Sequence, residues 1–119
     1  MVAAAKRYGC RGVGCDIAPR RVEQSRANAK RAGVENLVKI EKRDLFRVDL
    51  RRASVVVLYL SPKSNARLLP QLERLAPGSR IVSHQFDIRG IKPDKVVEVY
   101  SKEDRHRHTL FLWKTPLNY

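Results

Sequence analysis

No apolar run in this 119-residue chain approaches the roughly 18 residues needed to cross a bilayer, and its first residues, MVAAAKRYG, lack the apolar core of a secretory signal. A membrane span is therefore excluded as an expectation, and a cytoplasmic protein is expected. Cysteine is scarce. Cys10 and Cys15 lack the paired spacing of a zinc site and no histidine cluster accompanies them, so no metal site is expected and both are read as buried, reduced thiols. Glycine is sparse too, with six residues and no phosphate-cradling loop. Gly12 and Gly14 precede an acidic strand end and position 17 is Ile, so a Gly-x-Gly-x-x-Gly reading fails and a dinucleotide-dependent oxidoreductase is disfavoured. Internal repeats, low-complexity tracts and linkers are absent, as in a single domain.

Acidic residues are also in short supply, 12 against 25 Lys and Arg, for a formal charge of +13. The excess is not confined to a tail: residues 1–52 carry 14 bases against 6 acids and residues 53–119 carry 11 against 6. Such a surface favours anionic partners, nucleic acid among them, and is equally compatible with a solvated basic surface that binds nothing. With 43% hydrophobic residues the chain is too apolar for disorder, and at this length it can bury roughly 65% of its unfolded surface.

The residues present alternate between helix and strand signals. VAAAKRY reads as a helix stopped at Gly9, and a strand follows over about residues 12–17. A helix opens at Pro19 and ends near Gly33, with a narrow inward stripe of Val22, Ala29 and Ala32 and a very basic outer face over residues 20–31. LVKIEKRD predicts a second strand ending on Asp44. SVVVLYL, residues 54–60, is continuously apolar and β-branched, the pattern of a strand buried on both faces of a parallel sheet. Leu68, Leu69, Leu72 and Leu75 make one face of a helical segment that Pro70 should kink or restart. RIVSHQF predicts a strand over 80–86, and KVVEVY, a charged turn and HTLFLWK predict a terminal antiparallel hairpin, with His106 and His108 fitting its alternation. Together these signals predict an α/β fold: a Rossmann-like, mostly parallel sheet with helices on both faces and a C-terminal antiparallel hairpin.

In such sheets ligands bind beyond the carboxyl ends of the strands. Asp16 ends one strand there, and a carboxylate has acceptor oxygens for both hydroxyls of a ribose, although a helix-terminal acid needs no ligand. Asp44 can accept from an adenine amino group, with Leu45 and Phe46 packing nearby, or serve as a simple turn residue. LYLSP, residues 58–62, closes the strand read as most buried.

GVGCDIAPRRVEQSRANAKRAGV, KRDLF and VVVLYLSPKSNARLLPQLERLAPGSRIVSHQFDI resemble consecutive blocks of class I S-adenosylmethionine-dependent methyltransferases. They are most similar to the small protein-lysine methyltransferases of archaea and to the enzymes that methylate a lysine of the ATP synthase c-subunit. The likeness spans about residues 3–113, and NARLLPQLERLAPGSRIVSHQFD is its most specific block. It implies S-adenosyl-L-methionine as cofactor, with Asp16 and Ile17 at the ribose, Asp44 and Leu45 at the adenine, and Leu60 beside the methyl group. Tyr59 is implied as the catalytic aromatic lining the lysine channel, where its ring face can hold a cationic amine. Asn65 and His84 are implied near the substrate. Asn65 can also steady a loop or cap its helix, and His84 reads as a hydrogen-bonded residue at a sheet end sooner than as a general base.

The family opens with a strand and a Gly-x-Gly-x-Gly segment ahead of the helix matching VAAAKRY. Residues 1–119 are accordingly expected as one methyltransferase-like domain, truncated at its N-terminus and lacking its first strand. Losing two charge-assisted hydrogen bonds from that loop would cost roughly 3–6 kcal/mol, about two to four decades of cofactor affinity, so this chain could be inactive alone. Two apolar strand edges left unpaired are expected to promote self-association. The implied partner is a protein lysine side chain. An RNA methyltransferase on the same fold is the alternative, disfavoured because LYLSP is not the Asn/Asp-Pro-Pro-aromatic signature of amino-group nucleic-acid methylases. A non-catalytic nucleic-acid binder using residues 20–31 is the other.

Overall fold

The computed structural model describes residues 2–119, with side chains from residue 5 onward. They form two compact units, divided between Val48 and Asp49.

The first unit contains α1 (Val2–Tyr8), β1 (Gly12–Asp16), α2 (Pro19–Arg31) and β2 (Val38–Lys42), followed by a 3₁₀ turn over Leu45–Arg47. Gly9 ends α1 with φ +68, a backbone conformation that costs a Cβ-bearing residue energy. Pro19 opens α2, where its missing N–H is no loss. The α2 crossover returns the chain beside β1, and β1 and β2 pair in parallel from Gly12↔Val38 to Asp16↔Lys42. Ala5, Ala29, Val34 and Val38 form the core, with Ala32, Leu37 and Ile40 packed against it. Of the expected α2 stripe, Val22 and Ala29 are buried and Ala32 is half-buried.

The second unit contains β3 (Val55–Leu58), α3 (Pro62–Arg67), α4 (Leu69–Leu72), β4 (Arg80–His84), β5 (Lys95–Tyr100) and β6 (Arg107–Lys114). Its sheet runs β3-β4-β6-β5, with β3 and β4 parallel and β6 antiparallel to both its neighbours. The terminal hairpin forms where alternation predicted it. Ser61 caps α3 by accepting from the Ser64 N–H, and Pro70 stands in the first turn of α4, so the proline restarts the helix as expected. Leu58, Leu68, Leu72, Leu75, Ile81, Ile88 and Trp113 are buried, and the Trp113 indole donates to the Ile91 carbonyl at 3.2 Å.

Five expectations need correction. β3 is not buried on both faces: Val55 and Val57 are 41% and 61% exposed. It is the end strand of its sheet, paired only with β4, and nothing within its own unit covers the Val55–Val57 face. It is also shorter than read, leaving Tyr59 and Leu60 beyond its end. β2 stops at Lys42 because the Asp44 carboxylate turns the chain by accepting from the Phe46 N–H. β4 stops at His84, because Gln85 takes φ 74 and leaves the extended conformation. The cysteines are free, as read, but not buried: Cys10 is exposed in the turn before β1 and Cys15 is half-buried. Partial burial raises the Cys15 thiol's pKa, with Glu41 adding to it.

Candidate active site

The first unit carries the two candidate nucleoside acids at the carboxyl ends of adjacent parallel strands. Asp16 is the last residue of β1, and its carbonyl accepts from the Arg43 N–H at 3.0 Å, which extends the pairing to the residue before Asp44. Its carboxylate is already engaged. Oδ1 accepts from the Ala18 N–H at 3.0 Å and from Arg21 Nη2 at 2.9 Å, and Oδ2 accepts from Arg21 Nε at 2.7 Å. The Arg21 fork, and then the Ala18 N–H, lower the Asp16 pKa to about 2. Because this folded value is depressed, the pair adds stability above the ordinary carboxylate range and loses it as pH falls toward 2.

Arg21, the Ala18 N–H and, more weakly, the Ile17 N–H take up most of the carboxylate's roughly four lone-pair positions. An ionised acid at a parallel strand end fits a ribose, whose hydroxyls would have to displace Arg21. Arg21 is 66% exposed, so it can swing away at little cost. Arg21→Ala is therefore expected to return the Asp16 carboxyl toward its ordinary titration range, read by carbon NMR. It should also tighten cofactor binding about two- to five-fold by calorimetry, since an exposed ion pair competes only weakly.

Ile17, next along, is 62% exposed, available to a ligand and contributing nothing to the core. Asp44 caps the 3₁₀ turn through its bond to the Phe46 N–H at 3.1 Å and lies 3.8 Å from Arg47, yet its side chain keeps 41% exposure. Leu45 and Phe46 are half-buried beside it.

The second unit brings other candidates together at the carboxyl ends of β3 and β4. Tyr59, just past β3, is 74% exposed, which removes core packing as its role. Its ring stacks on His84, the last residue of β4, with centroids 4.6 Å apart and planes at 17°. Leu60, the next residue, is half-buried. His84 Nε2 lies 2.7 Å from His108 Nδ1, and His108 Nε2 lies 2.7 Å from Asp104 Oδ2. Asp104 is oriented through Oδ1 by the His106 N–H at 2.9 Å. That backbone bond first, then His108, lowers its pKa, so it stays ionised wherever the protein is folded near neutrality.

Asn65 is not at the surface with them. It is fully buried within α3 and donates through Nδ2 to Ser83 Oγ at 3.1 Å, the Asp87 carbonyl at 3.2 Å and the Phe86 carbonyl at 3.4 Å. Full burial leaves it no surface for a substrate. It holds the loop after β4, and the helix cap falls to Ser61.

Sequence reasoning missed Arg21, His108 and Asp104. His84 pairs with Leu110 across β4 and β6, so His108, two residues away, is its diagonal neighbour on the same face. That signal needs the strand register. Among the described residues no group of His, Cys, Asp or Glu is arranged to hold a metal ion.

Parallel strands joined by a helical crossover, with acids at their carboxyl ends, are the nucleotide-binding arrangement of Rossmann-like folds. The family model of the ANTKMT methyltransferase domain matches residues 1–95, and the chain belongs to that family. A protein-lysine N-methyltransferase of Saccharolobus islandicus is 36% identical over 115 residues, covering 95% of this chain and 70% of that protein. The ATP synthase c-subunit lysine N-methyltransferase of Mus musculus is 33% identical over 99 residues, 79% of this chain but only 38% of that protein. Among solved structures, an RNA methyltransferase from Salinibacter ruber in complex with S-adenosyl-L-homocysteine is 41% identical with a TM-score of 0.87, covering 99% of this chain and 74% of that one. The resemblance read from the sequence thus holds.

Proposed function

We propose that the chain carries out S-adenosylmethionine-dependent methyl transfer to a protein lysine amine. The observation that carries this reading is the likeness to an archaeal protein-lysine N-methyltransferase along nearly the whole chain. The cofactor supplies an electrophilic methyl group on a sulfonium. In this reading Asp16 and Ile17 meet its ribose, Asp44 and Leu45 meet its adenine, and Leu60 lies by its methyl group. The face of Tyr59, exposed past β3, holds and orients the cationic lysine until it loses its proton. Proximity and alignment supply most of the rate, because an in-line displacement asks little covalent chemistry of the protein. A single domain over residues 1–119, a cytoplasmic site of action, and association through the one-sided edges of β1 and β3 belong to the same proposal.

RNA is the second reading. It is favoured by the charge of +13 and by the name of the Salinibacter relative. Two bases of the α2 face are engaged within the fold, Arg21 with Asp16 and Arg26 with the Ile40 carbonyl, which weakens α2 as a phosphate-binding stripe. The test supplies methyl-labelled S-adenosylmethionine to the chain with separated protein and RNA fractions of one cell extract. Label on lysine in the protein fraction is expected. Label in RNA alone would move the acceptor to nucleic acid, and label in neither would remove the activity from this chain.

A further inference from the structure

The Asp104–His108–His84 chain has a direction that follows from its protonation states. An ionised Asp104 only accepts, so His108 Nε2 carries a proton toward Asp104 Oδ2, 2.7 Å away. When His108 is neutral its Nδ1 is then a bare acceptor, and the 2.7 Å contact requires His84 to donate from Nε2. A neutral His84 protonated at Nε2 leaves its Nδ1 lone pair open. Among the described residues that atom has no hydrogen-bond partner, while the ring is stacked against the exposed Tyr59. The open base is thus on the residue that ends β4, beside the aromatic that follows β3.

We infer that His84 is the general base that takes the proton from the incoming lysine ammonium, with His108 and Asp104 as positioning residues that carry the charge away. The inference rests on the lysine-methylation reading. In the step, an N–H bond of the ammonium breaks and its proton bonds to His84 Nδ1. The proton on His84 Nε2 passes to His108 Nδ1, and the positive charge comes to rest on His108 beside the Asp104 carboxylate. The freed amine lone pair then forms the N–C bond as the S–C bond of S-adenosylmethionine breaks, its electron pair staying on sulfur. Val99 stands opposite His108 and Val97 opposite Leu110, so Glu98, Tyr100 and Arg107 belong to the other face of the hairpin, and the titratable ring beside His84 is Tyr59. Asp104, in contact with His108 and held by the His106 N–H ahead of β6, is the charge that orients the relay.

Two measurements on the full chain test this. Nitrogen NMR of the neutral rings is expected to show Nε2–H on both histidines, with a coupling across the hydrogen bond between His84 Nε2 and His108 Nδ1. A proton on His84 Nδ1 instead would overturn the relay whether or not the chain methylates anything. The second measurement uses the protein fraction labelled above and follows kcat and acceptor KM against pH. His84→Gln is expected to lower kcat about 100-fold at pH 7 with KM unchanged, the range of one general base. The deficit should shrink to less than about 10-fold at pH 9, because a lysine with a pKa near 10.4 then supplies its own neutral amine. Asp104→Asn should give the same trend at about a tenth of the size. A deficit constant across pH would make His84 merely structural and overturn the proposal. Absence of methylation by the unaltered chain would sink the functional reading while leaving the NMR result to judge the relay.

Discussion

Asp16→Ala is expected to weaken S-adenosylmethionine binding by about two to four decades in Kd while leaving the thermal midpoint nearly unchanged. The reason lies in what each partner of this carboxylate contributes. In the free protein its bonds go to Arg21, which is largely exposed, and to the Ala18 N–H at the start of α2. Water replaces an exposed guanidinium readily, so their loss does little to folding. A ribose offers two hydroxyl donors to one ionised acid, and charge-assisted bonds shielded by a ligand are worth roughly 1.5–3 kcal/mol each. Asp16→Asn keeps one acceptor oxygen without charge and should fall between the two. The carboxyl titrates at about 2, so its share of affinity should be flat from neutrality down to about pH 4 and vanish only as the pH nears 2. Calorimetry across that range checks both statements, and equal affinity for Asp16→Ala and the unaltered chain would take Asp16 out of the site.

Much of this fold is legible in residue patterns because the signals are local. Gly9 stops α1, Pro19 opens α2, Pro70 restarts a helix, and alternation in KVVEVY and HTLFLWK gives the hairpin. The burial of β3 was not legible. A run of β-branched residues announces a strand, but its exposure depends on what lies beside it, and β3 is an end strand. The site divides in the same way. Asp16, Asp44 and Tyr59 are found from their places at strand ends, which the order of elements supplies. Arg21 and His108 become partners only through the path of a helix and the register of two strands, and Asp104 only through the turn between β5 and β6. Cys10 was misjudged because cysteine is usually buried, while this one stands in a turn beside exposed residues.

Asn65 carries the opposite expectation to Asp16: its replacement should cost stability and leave binding alone. Its Nδ2 ties α3 to Ser83 on β4 and to two carbonyls of the following loop, and neither it nor Ser83 is exposed. The loop needs that tie, because Gln85 sits between Ser83 and Phe86 at φ 74, a conformation unfavourable for a residue with a Cβ. Asn65→Leu keeps the number and branching of heavy atoms while removing every hydrogen-bonding group, and its bulkier methyls add a packing cost of their own. Stranding a buried hydroxyl and two carbonyls is expected to cost about 2–4 kcal/mol, lowering the melting temperature by roughly 10 °C for a chain of this size. The loss is not larger because Asn65 Oδ1 has no partner, and the substitution relieves that buried oxygen. Asn65→Asp should be worse than leucine, since it turns a carboxylate toward the carbonyls that the amide served. Thermal melts of the two variants, run with acceptor KM on whatever folded protein remains, separate the roles. A raised KM with an unchanged melting temperature would return Asn65 to the substrate site; a lowered melting temperature with unchanged KM assigns it to the frame that holds the end of β4, and with it His84, in place.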